Sequence, residues 1–160
     1  MRFTERHAAN LTNQIALALC YMHGLPRPIV HRDLKLENIM IQNIQNVGSR
    51  ECEIIVKITD FGFACEIDPA KPENLSLGSP MYTAPEVIKG IAYDARVDVW
   101  SLGVITYMML TNTPPFSGST KESTYYKSLN LEPDYSKFSK FHDRGAYCKD
   151  FIRCCLTKNF

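Results

Sequence analysis

The stretch VWSLGVITYMML, residues 99–110, constrains the fold more than any other segment. Its apolar residues fall on every side of a helix, so the segment cannot lie half in water. It is shorter than the roughly 18–20 residues a bilayer span needs, and Ser101, Gly103 and Thr106 interrupt it. What remains is a buried central helix around which the rest of the chain must pack. Asp98, at its start, is placed to cap it. The composition agrees: 45% hydrophobic and 22% charged residues are ordinary for a globular protein, and 160 residues, 1–160, make one domain or part of a larger one. A net charge of +1 gives no long-range field toward nucleic acid or an anionic membrane, so neither is expected as a partner.

Six cysteines stand at 20, 52, 65, 148, 154 and 155. They form no C-x-x-C and have no histidines at zinc spacing, which reads as buried or reduced thiols of an intracellular, cytoplasmic protein. Cys65 is the alternative candidate for a redox role. The N-terminal MRFTERHAAN lacks the apolar core of a signal peptide.

Thr4 is an N-cap candidate, with Phe3 and Ala8 placed as a hydrophobic staple. Ala8, Leu11, Ile15, Leu19 and Met22 then follow helical spacing. The nearly apolar IALALCYM predicts a helix more buried toward its end, closed by Gly24 and the prolines at 26 and 28. Ile39–Ile41 and Ile54–Ile58 read as two short strands joined by a polar hairpin loop. Residues 66–80 read as irregular, and a helix is predicted near Ala84-Pro85-Glu86 with Pro in its first turn. PPF at 114–116 breaks the chain, a weakly marked loop region follows, and a last helix covers about Ala146–Thr157. On it Tyr147, Phe151 and Cys154/Cys155 share a face. The fold class is therefore mainly α with a small β-ribbon.

Between the first helix and the ribbon lies HRDLKLEN, 31–38, a polar island flanked by Ile29-Val30 and Ile39-Met40. Asp33 can accept a proton from a hydroxyl, Lys35 can neutralise a phosphate, and Asn38 can offer a carbonyl oxygen to a hard cation. Each alone reads equally well as a surface turn residue. Asp60 then leaves an apolar strand in ITDFGFA, 58–64, where a carboxylate is costly unless paired or metal-bound. Asn38 and Asp60 sit at opposite ends of one ribbon, so they can return to one point and hold Mg²⁺ with phosphate oxygens and water.

These motifs together resemble the C-terminal lobe of a eukaryotic protein kinase. H-R-D-L-x-x-x-N matches His31–Asn38, D-F-G matches Asp60–Gly62, and A-P-E matches Ala84–Glu86. DVWSLGV at 98–104 resembles the central helix of that family with its Asp at Asp98, PPF resembles the loop after it, and KDFI at 149–152 the start of a late helix. The order is right and the resemblance spans nearly the whole chain. YMH, HRDLKLEN, ITDFGFA and GSPMYTAPEV also resemble the calmodulin-dependent-kinase-like group and the autophagy-initiating kinases.

The resemblance implies a protein serine/threonine kinase that uses ATP and Mg²⁺ on protein Ser/Thr hydroxyls. Asp33 would orient or accept the hydroxyl proton, Lys35 would touch the γ-phosphate, and Asn38 and Asp60 would hold the metal ions. Ser79 matches a hydroxyl residue that bonds the catalytic Asp and Lys. Met40 matches an apolar residue under the adenine ring, with a core position as the equal alternative. His31 and Phe61 match an apolar stack. Arg32 implies pairing with a phosphorylated loop residue, for which Ser76 is the candidate acceptor or else a solvated serine.

Several family features are missing from the 160 residues: the G-x-G-x-x-G loop, the V-A-I-K lysine and its glutamate partner, and the hinge. The expectation is a kinase fragment with little activity by itself, the alternative being a non-catalytic interaction module. Glu86 would likewise lack the Arg that pairs with it a few residues beyond a stretch like CLTKNF.

Overall fold

A computed structural model describes residues 3–46, 52–68, 75, 77–138 and 145–158. Helix α1 (Glu5–His23) starts at the expected cap, where Thr4 Oγ1 accepts the His7 N–H at 3.2 Å. Its buried face carries Ala8, Leu11, Ile15, Leu19 and Met22, as the spacing predicts. The expected rise in burial toward its C-terminal end is not found: Leu17 and Tyr21 are 61% and 73% exposed, because the described elements pack on one flank only.

The buried central helix is α3 (Arg96–Thr111), with Val104, Ile105 and Tyr107 fully enclosed. Helix α1 crosses it, and a buried hydroxyl pair, Thr12 and Thr106 at 3.1 Å, joins the two. On another side lies α5 (Gly145–Cys155). A Cβ on Gly103 would stand 2.6 Å from Cys155 Cβ, so this close helix approach requires glycine. Ile152 and Cys155 face inward on α5, whereas Tyr147, Phe151 and Cys154 lie on its outer face; the stripe expected from sequence splits between the two. Cys20 and Cys154 are exposed, so not every thiol is buried.

After α1 the chain forms β1 (Ile29–Val30), the loop, and a 3-10 turn at Leu36–Asn38. Strands β2 (Ile39–Asn46) and β3 (Cys52–Ile58) follow as one antiparallel ribbon, with a bulge between Ile41 and Asn43. The strands run well into the segment expected to be loop. Gln14 on α1 ties the ribbon down: its Oε1 accepts Val56 N–H at 3.1 Å and its Nε2 donates to Ile54 O at 2.8 Å.

A second ladder was not legible in sequence. Strand β4 (Cys65–Glu66) pairs antiparallel with β1, Val30 opposite Cys65. This closes the chain on itself, so the segment after β1 and the segment before β4 lie side by side. Helix α2 (Pro85–Lys89) has Pro in its first turn as expected. The weakly marked region contains a full helix, α4 (Lys121–Asn130), started by a reciprocal cap between Thr120 and Ser123. Among the described residues no helix is long and apolar enough to cross a membrane.

Candidate active site

The loop His31–Lys35 is fixed from below by α3. Asp98, in the first turn of α3, is completely buried. Contrary to the expectation from sequence, it does not cap the helix; Ala95 occupies that position without a side-chain bond. Its carboxylate turns instead to the loop: Oδ2 accepts the His31 N–H at 2.8 Å and Oδ1 the Arg32 N–H at 2.9 Å. The physical reason is burial. A carboxylate with no water must collect donors, and two consecutive loop amides supply charge-assisted bonds. Those bonds hold Arg32 at φ 66°, a left-handed backbone that costs about 1–2 kcal/mol in a non-glycine residue.

The next residue is thereby presented. Asp33 is nearly buried, at 5% exposure. Its Oδ1 accepts both the Ser79 N–H and the Ser79 hydroxyl, each at 2.9 Å, and its Oδ2 accepts Lys35 Nζ at 2.5 Å. Lys35 also donates to Ser79 Oγ at 3.2 Å. Asp33 beside it raises the Lys35 ammonium above its ordinary value, which keeps it charged. Ser79 can reach the site because Gly78 precedes it: φ there is +101°, and a Cβ would meet Arg32 O at 2.8 Å.

Asn38 is buried, and its side-chain nitrogen donates to Asp33 O at 2.9 Å, while its carbonyl oxygen has no hydrogen-bond donor among the described residues. Its backbone O accepts the N–H and hydroxyl of Thr59 at 2.9 and 3.1 Å. Thr59 directly precedes Asp60, so these bonds bring the two expected metal ligands to one end of the ribbon. Thr59 was not singled out in sequence; the signal available was its place beside Asp60. Asp60 is exposed, with φ 61°, and its Oδ1 accepts the Gly62 N–H at 3.3 Å. A carbonyl oxygen and a carboxylate held this way suit a hard divalent cation.

His31 Nε2 lies 3.0 Å from Thr59 O, and its ring meets Phe61 edge-on at 5.1 Å, as expected for a stacked pair. Arg32 Nε donates to Phe63 O at 2.6 Å. Met40 is 54% exposed, which overturns the core position. Glu86 is half-buried and has no cation at ion-pair distance among the described residues; burial raises its carboxyl above the usual range. Ser76, the candidate phosphosite, lies outside the described residues.

A family described as the protein kinase domain matches residues 1–160. The chain is 44% identical over 150 residues to myosin light chain kinase A of Dictyostelium discoideum, covering 94% of this chain and 48% of that protein. It is 36% identical over 157 residues to calcium-dependent protein kinase 4 of Plasmodium falciparum, covering 97% and 28%. Against serine/threonine-protein kinase 33 of Mus musculus it is 36% identical over 126 residues, covering 77% and 25%. The chain thus spans less than half the length of these relatives.

Proposed function

The chain belongs to the protein kinase domain family, and on that premise we propose that it carries the catalytic half of a protein serine/threonine kinase. The observation that carries this reading is the Asp33–Lys35–Ser79 cluster. One carboxylate, one cation and one hydroxyl are locked together in a nearly buried corner, with Asn38 bonded to the same Asp33. Phosphoryl transfer needs positioning and charge neutralisation more than covalent chemistry, and these groups provide both.

In this reading Asp33 orients a substrate serine or threonine hydroxyl and takes its proton. Lys35 stays charged and moves between Asp33 and a phosphate oxygen. Asn38 and Asp60 hold Mg²⁺, which when bound neutralises charge on the ATP phosphates. Met40 offers an apolar floor to the adenine ring. Arg32 pairs with a phosphorylated residue of the loop containing Ser76. No G-x-G-x-x-G or V-A-I-K occurs in the 160 residues, so ATP would be held from one side only and the chain alone transfers phosphate slowly. Rates comparable to an intact kinase would refute that last point.

The kinase reading is tested by joining this chain to the preceding portion of myosin light chain kinase A and supplying γ-labelled ATP with Ser, Thr and Tyr peptides. Label on Ser and Thr, lost in Asp33→Asn, supports it. Label on Tyr alone, or label indifferent to Asp33→Asn, contradicts it.

A further inference from the structure

The two edges of the β2–β3 ribbon are finished differently. The β3 edge faces α1 and is closed: Gln14 Oε1 accepts the Val56 N–H and Gln14 Nε2 donates to Ile54 O. The β2 edge pairs with no strand among the described residues, since the sheet has the order β2-β3. In an antiparallel ladder, a residue whose backbone groups turn outward stands opposite another that also turns outward. Val56 and Ile54 turn to Gln14, so their partners Ile41 and Ile44 turn their own amide and carbonyl groups to the open side.

The side chains follow the same division. Ile54, Val56 and Ile58 pack against the core, and β3 contacts α1. Ile41 and Ile44 share that face of the ribbon one strand further out, and they are 56% and 57% exposed. Helix α1 thus covers the inner half of one apolar face and leaves the outer half bare. Proteins commonly blunt such an edge with charge or proline. Strand β2, IMIQNIQN, has neither, whereas β3 carries Glu53 and Lys57.

The open edge has an unusual spacing. On a regular strand the residues that turn outward are two apart. The bulge between Ile41 and Asn43 sets Ile41 and Ile44 three apart, so a strand with the same bulge matches them and a regular strand does not. A second copy of β2 supplies that match. Laid antiparallel across a two-fold axis, Ile41 of one copy stands opposite Ile44 of the other, and Gln42 opposite Asn43. Outward backbone groups then meet outward backbone groups, isoleucine meets isoleucine, amide meets amide, and no like charges are opposed. We propose that β2 is a self-association edge: two copies join β2 to β2 in one continuous sheet, and the closed β3 edges stop growth at the dimer. The pairing does not depend on the kinase reading above.

The test is sedimentation velocity of the chain from about 10 µM to about 1 mM, with amide exchange on the ¹⁵N-labelled chain at both ends of that range. A monomer–dimer equilibrium is expected. Exchange at Ile41 and Ile44 should be about fivefold slower or more in the concentrated sample, with Val104 and Ile105 in α3 unchanged. Ile44→Lys places a charge on the edge and should stay monomeric over the whole range, its Val104 and Ile105 rates matching the parent's and so showing that it is folded. Leu17→Lys, on the exposed face of α1, should dimerise like the parent. A chain that is monomeric throughout overturns the proposal and leaves the edge to a strand from another segment or protein. So does a dimer that Leu17→Lys abolishes and Ile44→Lys spares, a dimer without slower exchange at Ile41 and Ile44, or growth beyond the dimer.

Discussion

Two carboxylates of the site, Asp33 and Asp60, sit in opposite surroundings. Asp33 is nearly buried, and both its oxygens are occupied by donors from Lys35 and Ser79. Asp60 is exposed, and among the described residues it accepts one long bond, from Gly62. A side chain that must present one oxygen to a hydroxyl at a fixed angle benefits from being locked in advance. A side chain that takes a hydrated cation benefits from open lone pairs, since Mg²⁺ keeps several of its waters. In the kinase reading the two halves of the site are prepared differently, one to hold geometry and the other to take up a cation.

That contrast predicts effects on stability that run opposite to effects on ligand binding. The largest concerns the support beneath Asp33. Asp98→Ala strips three donors, His23 Nε2 and the His31 and Arg32 N–H groups, of their acceptor, and denaturant unfolding should show a loss of about 3 kcal/mol or more. A loss under about 1 kcal/mol would mean the loop holds itself, and the contrast would break. Next comes Ser79→Ala, which removes one hydroxyl bridge but keeps the Ser79 N–H bond; about 1 kcal/mol is expected from the same measurement. Asp60→Ala should change stability by no more than about 0.5 kcal/mol, because little is bonded to that side chain. It should nevertheless abolish any Mg²⁺-dependent response to ATP in calorimetry.

The smallest effect sharpens the picture at the rim. Burial raises the Glu86 carboxyl above its ordinary value near 4.5, so between that value and the raised one the folded chain binds more protons than the unfolded. The stabilising protonated form is fully present below the ordinary value and is lost as pH rises through the raised one. Glu86→Gln should therefore melt about 1–2 °C higher than the parent at pH 7, and the difference should vanish by about pH 4. Melting curves at the two pH values check this.

The site was legible where its chemistry is local. Asp33, Lys35 and Asn38 lie within one octapeptide, and the stripe of α1 follows a simple period. The buried central helix was legible because apolar residues on every side admit one placement. What sequence hid depends on distance or on weak amphipathicity. Helix α4, KESTYYKSLN, buries only Thr124 and Ser128 among its residues, so no apolar stripe marks it, although Thr120 and Ser123 have cap spacing. Asp98 stands where an N-terminal acidic residue favours any helix, and only the fold shows that its oxygens serve a loop more than sixty residues earlier. The β1–β4 ladder is two residues long on each side, below any periodic signal.

In the kinase reading, Asn38 and Asp60 form one end of a site for Mg-ATP. The most direct measurement is an ATP titration of the ¹⁵N-labelled chain, with and without Mg²⁺, followed at the amides of 38–40 and 59–62. Shifts confined to those two segments, dependent on Mg²⁺ and absent in Asp60→Ala, are the predicted result. No response at millimolar Mg-ATP, or shifts elsewhere that ignore both the metal and Asp60, would contradict it.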